Sequence, residues 1–198
     1  MGVDGLPSLL KKGREYLPER ICEVTSTFGL VLADLDQIRQ ARAISAALVG
    51  EGVAATETFV AVQQITQSSV FVYCEDGAVT GVLGLFFLRQ AGLDAIEKGA
   101  FDAVNLDLDL VARPGEAPAA GYGWGFAATT HAGGRAVVKA SAALRDTLFW
   151  GLPAFTRTAT PDGVRVILGS LGYKPYGQGE TTLVWLPALN AAPVKAAP

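Results

Sequence analysis

Leu35, Ile38, Ala41, Ile44 and Leu48 recur at spacings of three and four, the stripe of an amphipathic helix. Asp34 stands where a carboxylate can cap that helix, Gln37 can reach back to it, and Gly50 and Gly52 supply its stop. The short apolar run Phe28 to Leu32 before it reads as a strand, and Thr56 to Thr66 after it as a second helix. Beyond Gln67 the pattern changes. Ser69 to Cys74 is β-branched and aromatic and Ala78 to Leu88 continues as a second apolar strand. Between them Asp76-Gly77 is the pair that a two-residue hairpin turn demands, because both positions need a positive φ. This hairpin is the firmest local prediction.

Farther on, Arg89 to Lys98 is predicted as a short helix and Asn105 to Ala119 as a polar, Pro-containing loop. Its Asp107 and Asp109 alternate with Leu106, Leu108 and Leu110, as a half-buried edge strand would. Gly121 to Thr130 reads as an aromatic-rich strand running into His131-Ala132-Gly133-Gly134-Arg135-Ala136, a glycine-rich turn followed by a helix from about Arg135 to Trp150. Ala154 to Thr158 suits another strand. Pro161 opens a further helix at its favoured first position and Gly172 ends it, with Tyr173 to Tyr176 and Thr181 to Leu186 as closing strands. Residues 1–26 read as an N-terminal extension holding a short helix, residues 27–186 as one domain and residues 187–198 as a disordered Ala/Pro tail.

Composition narrows the partners. The 198 residues are 50% hydrophobic, enough for one large core, and 16 basic against 19 acidic side chains give a net charge of -3. That balance offers no field for a nucleic-acid backbone. Gly81 to Leu88 is far short of the roughly 20 apolar residues that span a bilayer, so no membrane is expected. Leu6 stands where N-myristoylation needs Ser or Thr. One histidine and two cysteines, Cys22 and Cys74, are too few for a zinc site or a disulfide framework, and the expected location is cytoplasmic.

A strand, two glycines and a helix N-terminus form a recipe for holding phosphate, since glycine admits backbone amides and the helix end offers unpaired donors. Arg135 adds charge there. The run Gly121-Tyr122-Gly123-Trp124-Gly125 lacks the third glycine and the following helix of a dinucleotide loop. With the order strand, two helices, three strands, glycine turn and helix, strand, helix and two strands, the chain resembles the GNAT superfamily of acyl-CoA-dependent N-acyltransferases over about Phe28 to Leu186. His131 to Ala136 is similar to that family's pyrophosphate signature, with His in first place. Val164 to Tyr173 is similar to its closing helix with a Leu-Gly-aromatic exit.

The resemblance implies an α/β fold on a mixed, mostly antiparallel sheet with helices on both faces. It also implies a V-shaped split in which the pantetheine arm of acetyl-CoA, or another acyl-CoA, lies like an extra strand. Ala127, Ala128, Thr129 and Thr130 would line that arm, while His131, Gly133, Gly134, Arg135 and Ala136 would meet the pyrophosphate. An unidentified primary amine, on a small molecule or a peptide, would attack the thioester directly. The chain departs from the family at two positions: Leu168 stands in place of the usual Tyr acid and Pro161 in place of a frequent Asn. Tyr173 and Tyr176 remain as acid candidates, with core packing the competing role for Tyr173. Asp107, Asp109 and Glu116 are the nearest preceding acids for a base, and a water chain is the alternative. Two functions stay open, an N-acetyltransferase and a non-catalytic acyl-CoA-binding module that has lost its acid. An exposed last strand would suit a homodimer.

Overall fold

A computed structural model describes residues 16–50, 52–177 and 182–189. Most of the leading stretch 5–20, and the tail from residue 190 onward, lie outside the described residues. The helices are α1 (Pro18–Ser26), α2 (Leu35–Val49), α3 (Thr56–Thr66), α4 (Gln90–Glu97), α5 (His131–Thr147) and α6 (Pro161–Val164). The last continues as one wide π-type turn over Arg165–Ser170. The strands are β1 (Leu30–Leu32), β2 (Val70–Glu75), β3 (Ala78–Leu88), β4 (Ala120–Ala128), β5 (Ala154–Arg157), β6 (Lys174–Pro175) and β7 (Leu183–Leu186).

Local chemistry explains several boundaries. Asp34 Oδ1 accepts from Gln37 N at 2.8 Å while Gln37 Oε1 accepts from Asp34 N at 3.0 Å, a complete capping box. Gly50, at φ 83°, closes the same helix. Asp76 at φ 51° and Gly77 at φ 81° make the tight turn between β2 and β3. The two acids expected on an edge strand instead form a 3-10 turn at Leu108–Leu110, because the Asp107 carboxylate accepts from Asp109 N at 3.0 Å and bends the backbone back.

The seven strands form one sheet in the order β1-β2-β3-β4-β5-β7-β6. Every neighbouring pair is antiparallel except β4 with β5, which is parallel. This is the mixed, mostly antiparallel architecture expected of the resemblance. The last strand is not an edge, however: β7 lies between β5 and β6, and Pro175 of the two-residue β6 occupies that border.

Alternation divides the core between two layers. Leu83, Leu85 and Phe87 face α1 and α5 with Phe71, Val137, Ala140 and Leu144. On the other face Val82, Val70 and Val72 meet Ile38 and Ala41 of α2 and Phe59 of α3. With Phe86 and Leu88 buried on that second face too, β3 is covered on both sides from Gly81 onward, which is why its sequence there has no polar side chain. Segment 16–26, expected as part of an extension, belongs to this core. Tyr16 and Ile21 are fully buried, and the Tyr16 hydroxyl donates to Thr66 O at 2.6 Å. No helix among the described residues is long and apolar enough to cross a membrane.

Candidate functional site

Strands β4 and β5 pair only from Gly121 with Ala154 to Gly123 with Thr156. Past Gly123, β4 continues to Ala128 bonded to β3 alone, while β5 ends at Arg157 and the chain turns into α6. A fork therefore opens in the sheet. Two features hold it apart. In the β3–β4 ladder Gly84 faces Gly125 and Leu85 faces Gly123, so Trp124 is an extra, bulged residue that bends β4. At the branch point the buried Thr156 hydroxyl donates to Gly123 O at 2.7 Å, satisfying a carbonyl as the strand pairing ends.

A cavity of about 1150 Å³ fills the fork and reaches from α2 to α6. One end is apolar, walled by Leu48, Val49, Phe59, Phe101, Val104 and Trp124. Trp124 stacks on Phe59 with ring centroids 4.2 Å apart, and its indole N–H donates to Ala103 O at 2.9 Å, tying the loop after α4 to the bulge. Cations line the cavity as well: Arg135 and Lys139 of α5, Arg157 at the end of β5 and Arg165 of the π-type turn, against Asp102 and Asp162. Arg165 is paired with its neighbour Asp162 at 3.1 Å.

The glycine motif is not a loop. The helix begins at His131, four residues earlier than expected, because Thr130 caps it: Thr130 Oγ1 accepts from Gly133 N at 3.1 Å and Thr130 O from Gly134 N at 3.0 Å. The amides of His131 and Ala132 are left without intrahelical acceptors. Thr130 and Thr80 also donate to Glu75, and these hydroxyls hold the Glu75 carboxyl below its usual range. The two glycines do different work. A Cβ on Gly133 would lie 2.5 Å from Thr80 O, and one on Gly81 would lie 3.1 Å from Gly133 Cα, so α5 crosses β3 in backbone contact. A Cβ on Gly134 would meet only Ala128, at 3.7 Å.

Of the residues the sequence pointed to, Ala127, Ala128, Thr130, His131, Gly134 and Arg135 line the cavity. Thr129, Gly133 and Ala136 do not: Thr129 N donates to Thr80 O, Gly133 packs on that same carbonyl, and Ala136 is buried under the sheet. Neither acid candidate is in the cavity. Tyr173 is buried with Ile167, Val184 and Leu168, and burial pushes its phenol up to about 12. Tyr176 lies edge-on to Phe155 and Trp185, with ring centroids 5.2 and 5.6 Å away. The base candidates are elsewhere too. Asp107 and Asp109 form the 3-10 turn, and Glu116 binds Arg89 through both oxygens at 2.7 and 2.9 Å, which with Arg113 N holds its carboxyl at about 2.

Sequence reasoning missed Asp102, Tyr122, Lys139 and Arg157 as cavity residues. Lys139 lies four residues after Arg135, so helical spacing alone carries a signal for it. The other three meet only because a loop, β4 and β5 converge.

Neither a protein-family model nor a curated protein matches the chain. Nine chains of solved structures are similar to it. One is described as "GphF GNAT-like decarboxylase in complex with isobutyryl-CoA", 16% identical, with 72% of each chain covered and a TM-score of 0.44. The isobutyryl-CoA is that protein's ligand.

Proposed function

We propose that the chain binds an acyl-CoA in the fork and transfers its acyl group, acetyl in the simplest case, to a primary amine on a small molecule or peptide. The observation that carries this reading is the fork itself. From Trp124 to Ala128 the backbone edge of β4 faces the cavity instead of a strand and leads straight to the N-terminus of α5. A pantetheine arm carries amides that can pair along such an edge as an added strand does. Its diphosphate then meets the His131 and Ala132 amides, Arg135 and Lys139, where the helix dipole and two cations favour negative charge. His131 stands at the rim.

Transfer at such a site needs little covalent machinery. The fork aligns thioester and amine, a backbone N–H of the open β4 edge polarises the carbonyl, and a proton reaches the departing sulfur. The apolar end of the cavity takes the amine's body, and Asp102 is a carboxylate within reach of its charge. A second reading, an acyl-CoA-binding module without turnover, is favoured by Leu168, which packs beside Tyr173 where the resembling family carries its acid.

Thiol release separates the two. With acetyl-CoA and benzylamine, lysine and a short peptide offered as acceptors, the transferase reading expects amine-dependent release of CoA. Binding of acetyl-CoA with no release from any acceptor would leave the module. No binding would remove both.

A further inference from the structure

The closed end of the fork holds a phenol. Tyr122 pairs with Phe155 one residue before the strands part, and it is among the residues lining the cavity. Its ring is wedged between Phe86 and Phe101, with centroids 5.3 and 4.9 Å away, and the residue is 3% exposed. Arg157, from the end of β5, and Asp102, from the loop after α4, are the two charges beside the Tyr122 phenol.

Direction follows from the chemistry of the partners. A guanidinium carries only donors, so toward Arg157 the phenol oxygen can only accept. The Tyr122 O–H is left free to donate, and none of the described residues accepts from it. Burial also pushes this phenol up to about 12, against the pull of Arg157, so its proton is in place at neutral pH.

We infer that Tyr122 is the proton donor to the departing thiol, with Arg157 as the cation beside its oxygen; this rests on acyl-CoA occupying the fork as proposed above. The amine lone pair forms the new C–N bond, the C–S bond breaks, and its electron pair goes to sulfur, which takes the Tyr122 proton. The phenolate left beside the Arg157 guanidinium accepts the proton that the acylated nitrogen loses. Thioester and amine thus become amide and thiol, with the phenol restored. Tyr122 supplies what Leu168 cannot.

Tyr122→Phe in the full chain removes only the hydroxyl and keeps the ring contacts. With acetyl-CoA and the amine panel, the variant should bind acetyl-CoA as the wild type does by calorimetry yet lose about 100-fold in kcat, the scale of one general acid. With an analogue whose pantetheine arm ends in an arenethiol in place of the alkanethiol, so that the thiolate leaves without a proton, the two proteins should turn over alike. Equal kcat for both proteins on acetyl-CoA would overturn the assignment, and so would an equal loss on both thioesters, which would make Tyr122 a packing residue. Wild-type protein that binds acetyl-CoA but releases no thiol would also overturn it while sparing the binding site. Wild-type protein that binds none would remove the reading beneath it.

Discussion

Strand β4 is two different objects along its length. From Gly121 to Gly123 it is an interior strand, paired on both edges and roofed by Phe86, Phe101 and the Tyr122 ring. From Trp124 to Ala128 it is a one-sided strand whose free edge borders the cavity and points at the cations of α5. A single bulged residue and one threonine hydroxyl separate the halves. In the closed half the Tyr122 ring and its aromatic neighbours set the rigidity, whereas in the open half the geometry depends on the Trp124 bulge and on small residues, Gly125, Ala127 and Ala128, that leave the backbone edge accessible. Substitutions in the closed half should therefore register first as stability or rate, and those at the open mouth as ligand affinity.

The largest expected exception to that division is Gly133→Val. Gly133 is at the mouth in sequence but packs on β3, and its Cβ would stand 2.5 Å from a backbone oxygen that already accepts from Thr129 N. Overpacking a backbone crossing should cost about 3 kcal/mol or more in urea unfolding. Stability equal to wild type would show that α5 can lift off β3.

Thr156→Val comes next. It leaves Gly123 O without its hydroxyl partner at a buried position, an expected loss of about 1–3 kcal/mol in the same assay. An unchanged midpoint would mean that the fork does not need that bond. At the mouth, Arg135→Ala and Lys139→Ala should each weaken acetyl-CoA binding about tenfold, the worth of a charge-assisted contact, with unfolding unchanged. Lost stability without lost affinity would reverse the comparison.

Far from both halves, Asp34→Ala removes the capping box of α2 and should cost about 1 kcal/mol with no effect on ligand. The smallest effect is that of Glu116, whose carboxyl sits at about 2 against an ordinary 4.5. A lowered carboxylate pKa means the folded state binds fewer protons, so its contribution is present above pH 4.5 and is lost as pH falls toward 2. Its side chain is 39% exposed, so the contribution is under about 1 kcal/mol. Glu116→Gln should flatten acid unfolding slightly in that window and nowhere else.

The parts legible in the sequence are those governed by neighbours along the chain. Asp34 with Gln37 caps a helix, Asp76 with Gly77 makes a turn, Thr56–Thr66 is a local helical stretch, and the structure has all three where the pattern put them. Two errors arose where one side chain rewrites the backbone beside it. Thr130 captures Gly133 N and turns an apparent glycine loop into the first turn of a helix, and Asp107 captures Asp109 N and bends an apparent strand. A Thr three residues before a glycine was the available clue to the first. At the site, the mouth was legible because it is one contiguous segment. The closed end was not, since Tyr122, Arg157 and Asp102 come from three segments that only the sheet unites. Proximity in sequence drew attention to Tyr173 and Tyr176, both of which pack outside the cavity.

The central claim is that the fork holds an acyl-CoA against the mouth of α5, and Gly134 tests it with the least disturbance. Its Cβ direction is open except for Ala128 at 3.7 Å, so the fold should tolerate a valine there while the valine methyls fill the space beside the helix end. Titration calorimetry of acetyl-CoA into the wild type and Gly134→Val, with unfolding midpoints measured on both, gives the answer. Saturable binding to the wild type, weakened about tenfold or more in a variant of unchanged stability, is the expected result. The same dissociation constant for both proteins, or no binding to either, would contradict the placement.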